Sequence, residues 1–363
     1  MRLKTLQKFT RKKAFHVLFS FAFFLVSVPT TVMGSAEDIT NHEDASPQSP
    51  HSTRLEPQIF EYASLTENAE NIVRYLHEFG FIAVRGVPGF IESRAEFLTS
   101  AQEFAALSDD LKDQCTTSKE HCAGWAMGVE TFNGKTDTYK GSYYAAIGDD
   151  NPRVGDNVWP LQNQWDQAEQ FKNAYLTLAT LMFETGKEIL PLIGLNNENL
   201  KALGRMLHYA RPPKTDTHQN DTDGNPNWCG VHRDHGYFTA LIPSLFVRDG
   251  QPVKKPAGSG LHIYDWEVVV PDDVMMFQVG EAAELISDGK IKATPHHVKK
   301  AYGGLERFTL ALFMDTPFEV EMRVSDPDNI DPEYKSRFTQ GMTYGKWSEE
   351  SYKRYKVEDE PSQ

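Results

Sequence analysis

Past residue 64 the apolar positions fall at three- and four-residue steps, with Ile72, Val73, Leu76 and Phe79 leading up to Gly80. That period places them on one face of a helix, and a glycine after the last periodic residue is a C-cap signal. Residues 81–84, Phe-Ile-Ala-Val, then read as a short buried strand, closed by the turn Gly86-Val-Pro-Gly89. A second helix is expected over roughly residues 93–107. A long amphipathic helix is expected over about 165–190, burying Ala174, Leu178, Leu181 and Ile189 and ending at Pro191. Beyond Leu203 the period shortens. Candidate strands cover 206–210, 237–242, 260–264, 274–279, 291–293 and 307–314, separated by Gly, Pro and Asp. Many short strands at this spacing favour a double-sheet jelly roll or a barrel. The loop 214–227 is too hydrophilic for core.

The N-terminus follows a different pattern. Arg2, Lys4, Lys8, Arg11, Lys12 and Lys13 precede an apolar run over 17–28, and small residues at Gly34 and Ala36 suit cleavage. Residues 1–36 are therefore expected to be a signal peptide that directs export, to the periplasm or outside the cell. An uncleaved membrane anchor over 14–32 is the alternative, weakened by His16 and Pro29. With the signal cleaved, no stable membrane association is expected. Residues 37–57, rich in Ser, Pro, Asp and Asn, read as a disordered linker. The remaining chain divides into a helical region over 58–200, a β-rich region over 201–345 and a tail over 346–363.

Composition then narrows the function. Of 363 residues, 40% are apolar and 24% charged, as in a soluble globular protein. Without residues 1–36 the chain carries 31 Lys plus Arg against 51 Asp plus Glu, a formal charge of −20. Such an acidic body repels phosphate backbones, so no nucleic-acid partner is expected. The three cysteines, Cys115, Cys122 and Cys229, form neither a disulfide framework nor a zinc motif. Cys115 and Cys122 could pair across a short loop in an oxidising compartment, or all three could be free thiols.

The chemistry concentrates near the C-terminal half. His232 and Asp234, two residues apart, project to the same side before an apolar strand. His296 follows the Ser287-Asp-Gly289 turn and Pro295, a natural strand start. Two imidazoles and a carboxylate can occupy one face of a six-coordinate metal and leave sites open, as a non-heme ferrous oxygenase needs. The tripeptide alone is weak: His42-Glu-Asp44 repeats it in the linker. Arg307 and Thr309 share one strand face while Phe308, Leu310 and Leu312 make the other face apolar. An inward arginine asks for an anionic partner: a protein carboxylate such as Glu281 or Glu284, or an acid ligand held by a bidentate contact.

These residues resemble the isopenicillin N synthase-like ferrous, 2-oxoglutarate-dependent dioxygenases. The resemblance is carried by His-Arg-Asp-His-Gly-Tyr-Phe-Thr-Ala-Leu at 232–241, Ser-Asp-Gly-Lys-Ile-Lys-Ala-Thr-Pro-His-His-Val at 287–298 and Glu-Arg-Phe-Thr-Leu-Ala-Leu-Phe at 306–313. Upstream, residues 75–84, 124–130, 140–144 and 157–160 are similar to that family's N-terminal and middle segments, so coverage runs over roughly 58–350. The resemblance implies a mixed α/β fold, a double-stranded β-helix or jelly roll buttressed by helices. It implies that His232, Asp234 and His296 bind Fe(II), and that Arg307, Thr309 and Tyr209 hold the distal carboxylate of 2-oxoglutarate. Departures are Thr309 where serine is usual, His297 for arginine, Ala210 for proline, and Gln278 and Glu281 for Asn and Asp. They suggest a divergent member.

The expected activity is oxidation, by default hydroxylation, of a C–H bond in a small organic substrate, using O2 and releasing succinate and CO2, with ascorbate as a possible reductant. Three rivals share the residues: an oxidase of the same family that dispenses with 2-oxoglutarate, a zinc hydrolase, and a non-catalytic binder of metal or small acid. A zinc hydrolase would need a general base that the motif does not supply. Trp125, Tyr143, Tyr144, Phe238 and the loop 214–227 are candidate pocket or lid residues, with core packing as the alternative for the aromatics.

Overall fold

A computed structural model describes residues 54–116, 123–128, 131–132, 135–136, 139–148, 156–211 and 226–353, and the element counts below are of those residues. The expected signal peptide, most of the linker, Cys122 and most of the loop 214–227 lie outside them. Among the described residues, no helix is long and apolar enough to cross a membrane.

The architecture is two large sheets with helices behind one of them, and a separate two-stranded sheet of Thr131–Phe132 and Lys135–Thr136. A ten-stranded sheet carries, in spatial order, Ile59–Glu61, Phe81–Arg85, Val274–Val279, Phe238–Leu241, Leu305–Asp315, Lys201–Tyr209, Lys140–Ile147 and Gly124–Met127, with Leu245–Arg248 and Gln251–Val253 branching from Leu305–Asp315. A five-stranded sheet carries Arg54–Leu55, Trp266–Val268, Gly260–Ile263, His296–Lys299 and Asn227–His232. Residues of both sheets line one large cavity. This is the expected mixed α/β jelly-roll arrangement.

The helices follow the periodicity that foretold them. Ala69–Phe79 buries Ile72 and Leu76 and ends on Gly80, whose φ of 64° is the left-handed C-cap conformation. Its turn passes directly into Phe81–Arg85, which is buried on both faces and so lacks alternation. Phe90–Ala105 starts slightly earlier than the periodicity indicates. Ala168–Leu192 runs one residue past Pro191. Proline cannot donate to the carbonyl four residues back, and the Asn197 side chain takes that acceptor, Lys187 O, at 2.9 Å.

These helices pack on the outer face of the large sheet, where Phe308, Leu310 and Leu312 enter the main core as their alternation requires. The adjoining aromatic cluster includes Phe104, Trp125, Tyr143, Trp159, Phe171 and Tyr175; Phe104 and Phe171 stack at 4.8 Å. Trp125, Tyr143 and Phe238 are therefore core residues and not pocket residues. Aromatic burial at this scale is worth more than any polar contact those side chains could offer a ligand.

Two segments depart from the sequence pattern. Residues 291–293 form no strand: Lys292 N donates to Leu76 O at 3.1 Å, and Ala293 N donates to Glu284 Oε2 at 2.8 Å. The burial of Ile291 and Ala293 serves docking against helix and side chain, not a ladder. Conversely Lys140–Ile147 is a strand with every residue buried, so it shows no period-two signal.

Candidate metal centre

His232 ends the strand Asn227–His232, and His296 begins its antiparallel neighbour His296–Lys299, directly across the register. The ring centroids lie 4.1 Å apart. Alternation turns His297 to the opposite face, where it stacks on its cross-strand partner His262 at 5.0 Å. Asp234 follows two residues after His232, and Arg233 between them points away to Glu333 at 2.9 Å. One ligand atom from each of His232, Asp234 and His296 lies within 4.8 Å of the others. Asp234 Oδ1 stands 3.6 Å from His232 Nε2 and 3.9 Å from His296 Nε2.

The surroundings aim these atoms. His232 Nδ1 donates to Gly230 O at 2.9 Å, and His296 Nδ1 donates to Thr294 O at 3.0 Å. With the proton held at Nδ1, each Nε2 presents its lone pair inward, as a metal ligand must. Thr239 Oγ1 donates to Asp234 Oδ2 at 2.6 Å and leaves Oδ1 facing the imidazoles. Burial pushes the His296 imidazolium down to about 4, helped by neighbouring His232, so the ring is neutral at neutral pH. Burial alone would raise the Asp234 carboxyl, but the two imidazoles and the Thr239 hydrogen bond outweigh it and hold the group well below the usual carboxylate range. Two imidazole Nε2 atoms and an ionised carboxylate form the donor set a divalent cation takes.

The same cavity, about 630 Å³, reaches the second predicted group. Tyr209, Arg307 and Lys140 sit on one cross-strand row, because Tyr209 is paired with Lys140 on one side and Arg307 on the other. Arg307 is 5% exposed, and its Nε and Nη1 have no hydrogen-bond partner. Its guanidinium carbon lies 5.1 Å from the Tyr209 ring centre. Burial pushes the Tyr209 phenol up to about 12, so it remains a donor. The proposed protein partners of Arg307 are elsewhere: Glu281 accepts from Arg337 Nη1 at 3.0 Å, and Glu284 accepts from Tyr334 Oη at 2.9 Å. Thr309 lines the cavity with Arg307, but its hydroxyl donates to Ile242 O at 3.0 Å. It must rotate before it can donate to a ligand.

No family model matches the sequence. A stretch of 177 residues is 27% identical to a UPF0676 protein of Schizosaccharomyces pombe; the match spans 47% of this chain and about half, 52%, of that relative. Among solved structures, a full-length Neurospora crassa protein in complex with alpha-KG and thymine is 18% identical, with a TM-score of 0.62 over 84% of this chain and 98% of that one. A Caulobacter crescentus protein described as a 2OG-Fe(II) oxygenase family member is also 18% identical, with a TM-score of 0.62 over 82% of this chain and 99% of that one. The chain has the 2OG-Fe(II) oxygenase fold. On that fold the clustered His232, Asp234 and His296 lie between the two sheets, and Arg307 projects into the cavity from the large one.

Sequence reasoning missed several residues of this oxygenase-fold cavity. Thr239 was visible only as the fifth residue after Asp234, and nothing local announced its contact. Arg205, just before the candidate strand 206–210, and Lys140, in a segment with no strand signal, also line the cavity. Arg205 donates to Ser142 Oγ at 2.9 Å and lies over the Tyr144 ring at 5.1 Å. Gln278, singled out only as an unusual residue, also faces the cavity.

Proposed function

We propose that this protein is a non-heme Fe(II)- and 2-oxoglutarate-dependent oxygenase that oxidises, by default hydroxylates, a C–H bond of a small organic molecule. The observation that carries the reading is a buried arginine with two unpaired nitrogens in the same cavity as a two-histidine, one-carboxylate cluster. A buried guanidinium without a carboxylate is costly, and a diacid cosubstrate supplies the missing charge. The Neurospora crassa neighbour's complex with alpha-KG and thymine supports a small-molecule substrate in a fold of this kind.

His232, Asp234 and His296 would hold the iron, with Thr239 fixing which carboxylate oxygen faces it. Arg307 would clamp the far carboxylate of 2-oxoglutarate, assisted by the Tyr209 hydroxyl and by Thr309 after rotation. Bound iron would supply oxygen activation, coupled to conversion of 2-oxoglutarate into succinate and CO2. The apolar walls from Leu241, Leu261, Met276 and Val298 would exclude water and hold the substrate carbon near the metal.

Anaerobic titration with ferrous ion and 2-oxoglutarate tests this. We expect a charge-transfer absorption band that oxygen discharges with succinate release. Arg307→Met should weaken 2-oxoglutarate binding at least about a hundredfold, the cost of losing a bidentate buried ion pair, while iron still binds. Iron binding with no response to 2-oxoglutarate would sink the cosubstrate assignment. Turnover without 2-oxoglutarate would place the protein among oxidases that dispense with it.

A further inference from the structure

Gln278 is 1% exposed, and neither its amide nitrogen nor its amide oxygen has a hydrogen-bond partner. Its strand, Val274–Val279, runs antiparallel to Phe238–Leu241, and Gln278 stands directly across from Thr239. Thr239 is the residue that holds Asp234. Gln278 therefore faces the cavity beside the metal cluster. Arg307 lies at the opposite end, six residues along the strand from Phe313, which pairs with Thr239 on its other side. A buried primary amide left wholly unpaired is unfavourable; its atoms are closed off as the side chain stands, but Gln278 belongs to the cavity wall, so a turn of the side chain would present them to a ligand.

We propose that Gln278 binds the oxidised substrate, and that this substrate carries a neutral carboxamide or lactam whose adjacent N–H and C=O pair with the Gln278 amide. An amide offers a donor and an acceptor side by side, and a second amide answers both with two parallel hydrogen bonds. An ionised carboxylate would answer only the donor and would set its charge against the Gln278 oxygen and Asp234. The walls flanking Gln278, Met276 and Leu241, suit the apolar remainder of such a molecule. Assigning this ligand as the substrate rests on the oxygenase reading above; the pairing chemistry does not.

The test uses hydantoin and nicotinamide as probes, with benzoate as the acid control, on wild type and Gln278→Leu. Calorimetry is run on the anaerobic Fe(II)–2-oxoglutarate complex and on metal-free protein. We expect the two amides to bind wild type more tightly than benzoate does. Gln278→Leu should lose about tenfold or more of that affinity, keep its iron and 2-oxoglutarate affinities, and melt no lower than wild type because an unpaired amide has gone. Equal binding of amides and benzoate, unchanged amide affinity in the variant, or a lower melting temperature would each overturn the inference. Failure of the charge-transfer band to form would instead remove the oxygenase reading, while probe binding to metal-free protein would still decide the role of Gln278.

Discussion

Three hydrogen bonds decide what the cluster can do: two fix the histidine tautomers, and one fixes a carboxylate oxygen. The last is the most exposed to mutation, because Thr239 has a close isostere. Thr239→Val keeps the volume and removes the 2.6 Å contact to Asp234. We expect iron affinity to fall about 10- to 100-fold, as for other partners of metal ligands, with little change in folding; metal titration monitored beside thermal melting checks it. His296 leads to a second expectation. Its folded value of about 4 lies below the ordinary 6.5, chiefly through burial. Below 6.5 the unfolded chain therefore takes up a proton that the folded chain refuses, and the stability of metal-free protein declines as pH falls from 6.5 towards 4. The full difference is about 3 kcal/mol. Urea melts of metal-free wild type and His296→Ala should show it: the wild-type slope is present, and the variant's is flatter.

At the scale of elements, the metal loop is held by close backbone approach. Gly280 precedes the helix Glu281–Ile286, and a Cβ placed there would lie 2.2 Å from Gly236 O and 3.1 Å from Asp234 O. Glu281 N also donates to Asp234 O at 2.7 Å, and Trp347 Nε1 donates to His235 O at 3.2 Å. Gly280→Ala must push the Asp234 loop away. We expect a loss of about 1–3 kcal/mol in stability, as for overpacking, together with weaker iron binding; circular dichroism melts and metal titration measure the two. That approach was invisible in the sequence, as was the contact from Trp347, because both join segments far apart in the chain. What the sequence did show were features with a local cause. The helix over Ala69–Phe79 was written in its period and its Gly80 cap. The facing of Arg307 and Thr309 was written in strand alternation. The strand Lys140–Ile147 lacked a period because both its faces are buried, and residues 291–293 imitated a strand because Ile291 and Ala293 are buried by docking rather than by pairing.

At the scale of the whole molecule, the predicted ligand groups divide between the sheets. His232 and His296 belong to the five-stranded sheet, and Arg307, Thr309 and Tyr209 belong to the ten-stranded one. Asp234, between the strands Asn227–His232 and Phe238–Leu241, links the two. A metal alone would tie down the small sheet and the linking loop. A diacid alone would meet Arg307 but have nothing at its other end. Both together would bridge the cavity and fasten sheet to sheet, so each ligand should strengthen the other's binding by the same factor. Because ligands that bind only folded protein stabilise it by mass action, melting temperature reports this coupling. We expect 2-oxoglutarate alone to raise it little, ferrous ion alone to raise it moderately, and the pair to raise it by more than the sum of the two. At a hundredfold excess over the dissociation constant the combined gain should be about 3 kcal/mol or more, and an anaerobic melt in each of the four conditions measures it. Strict additivity would mean that the two ligands do not share one bridged site, and the division of roles between the sheets would fall with it.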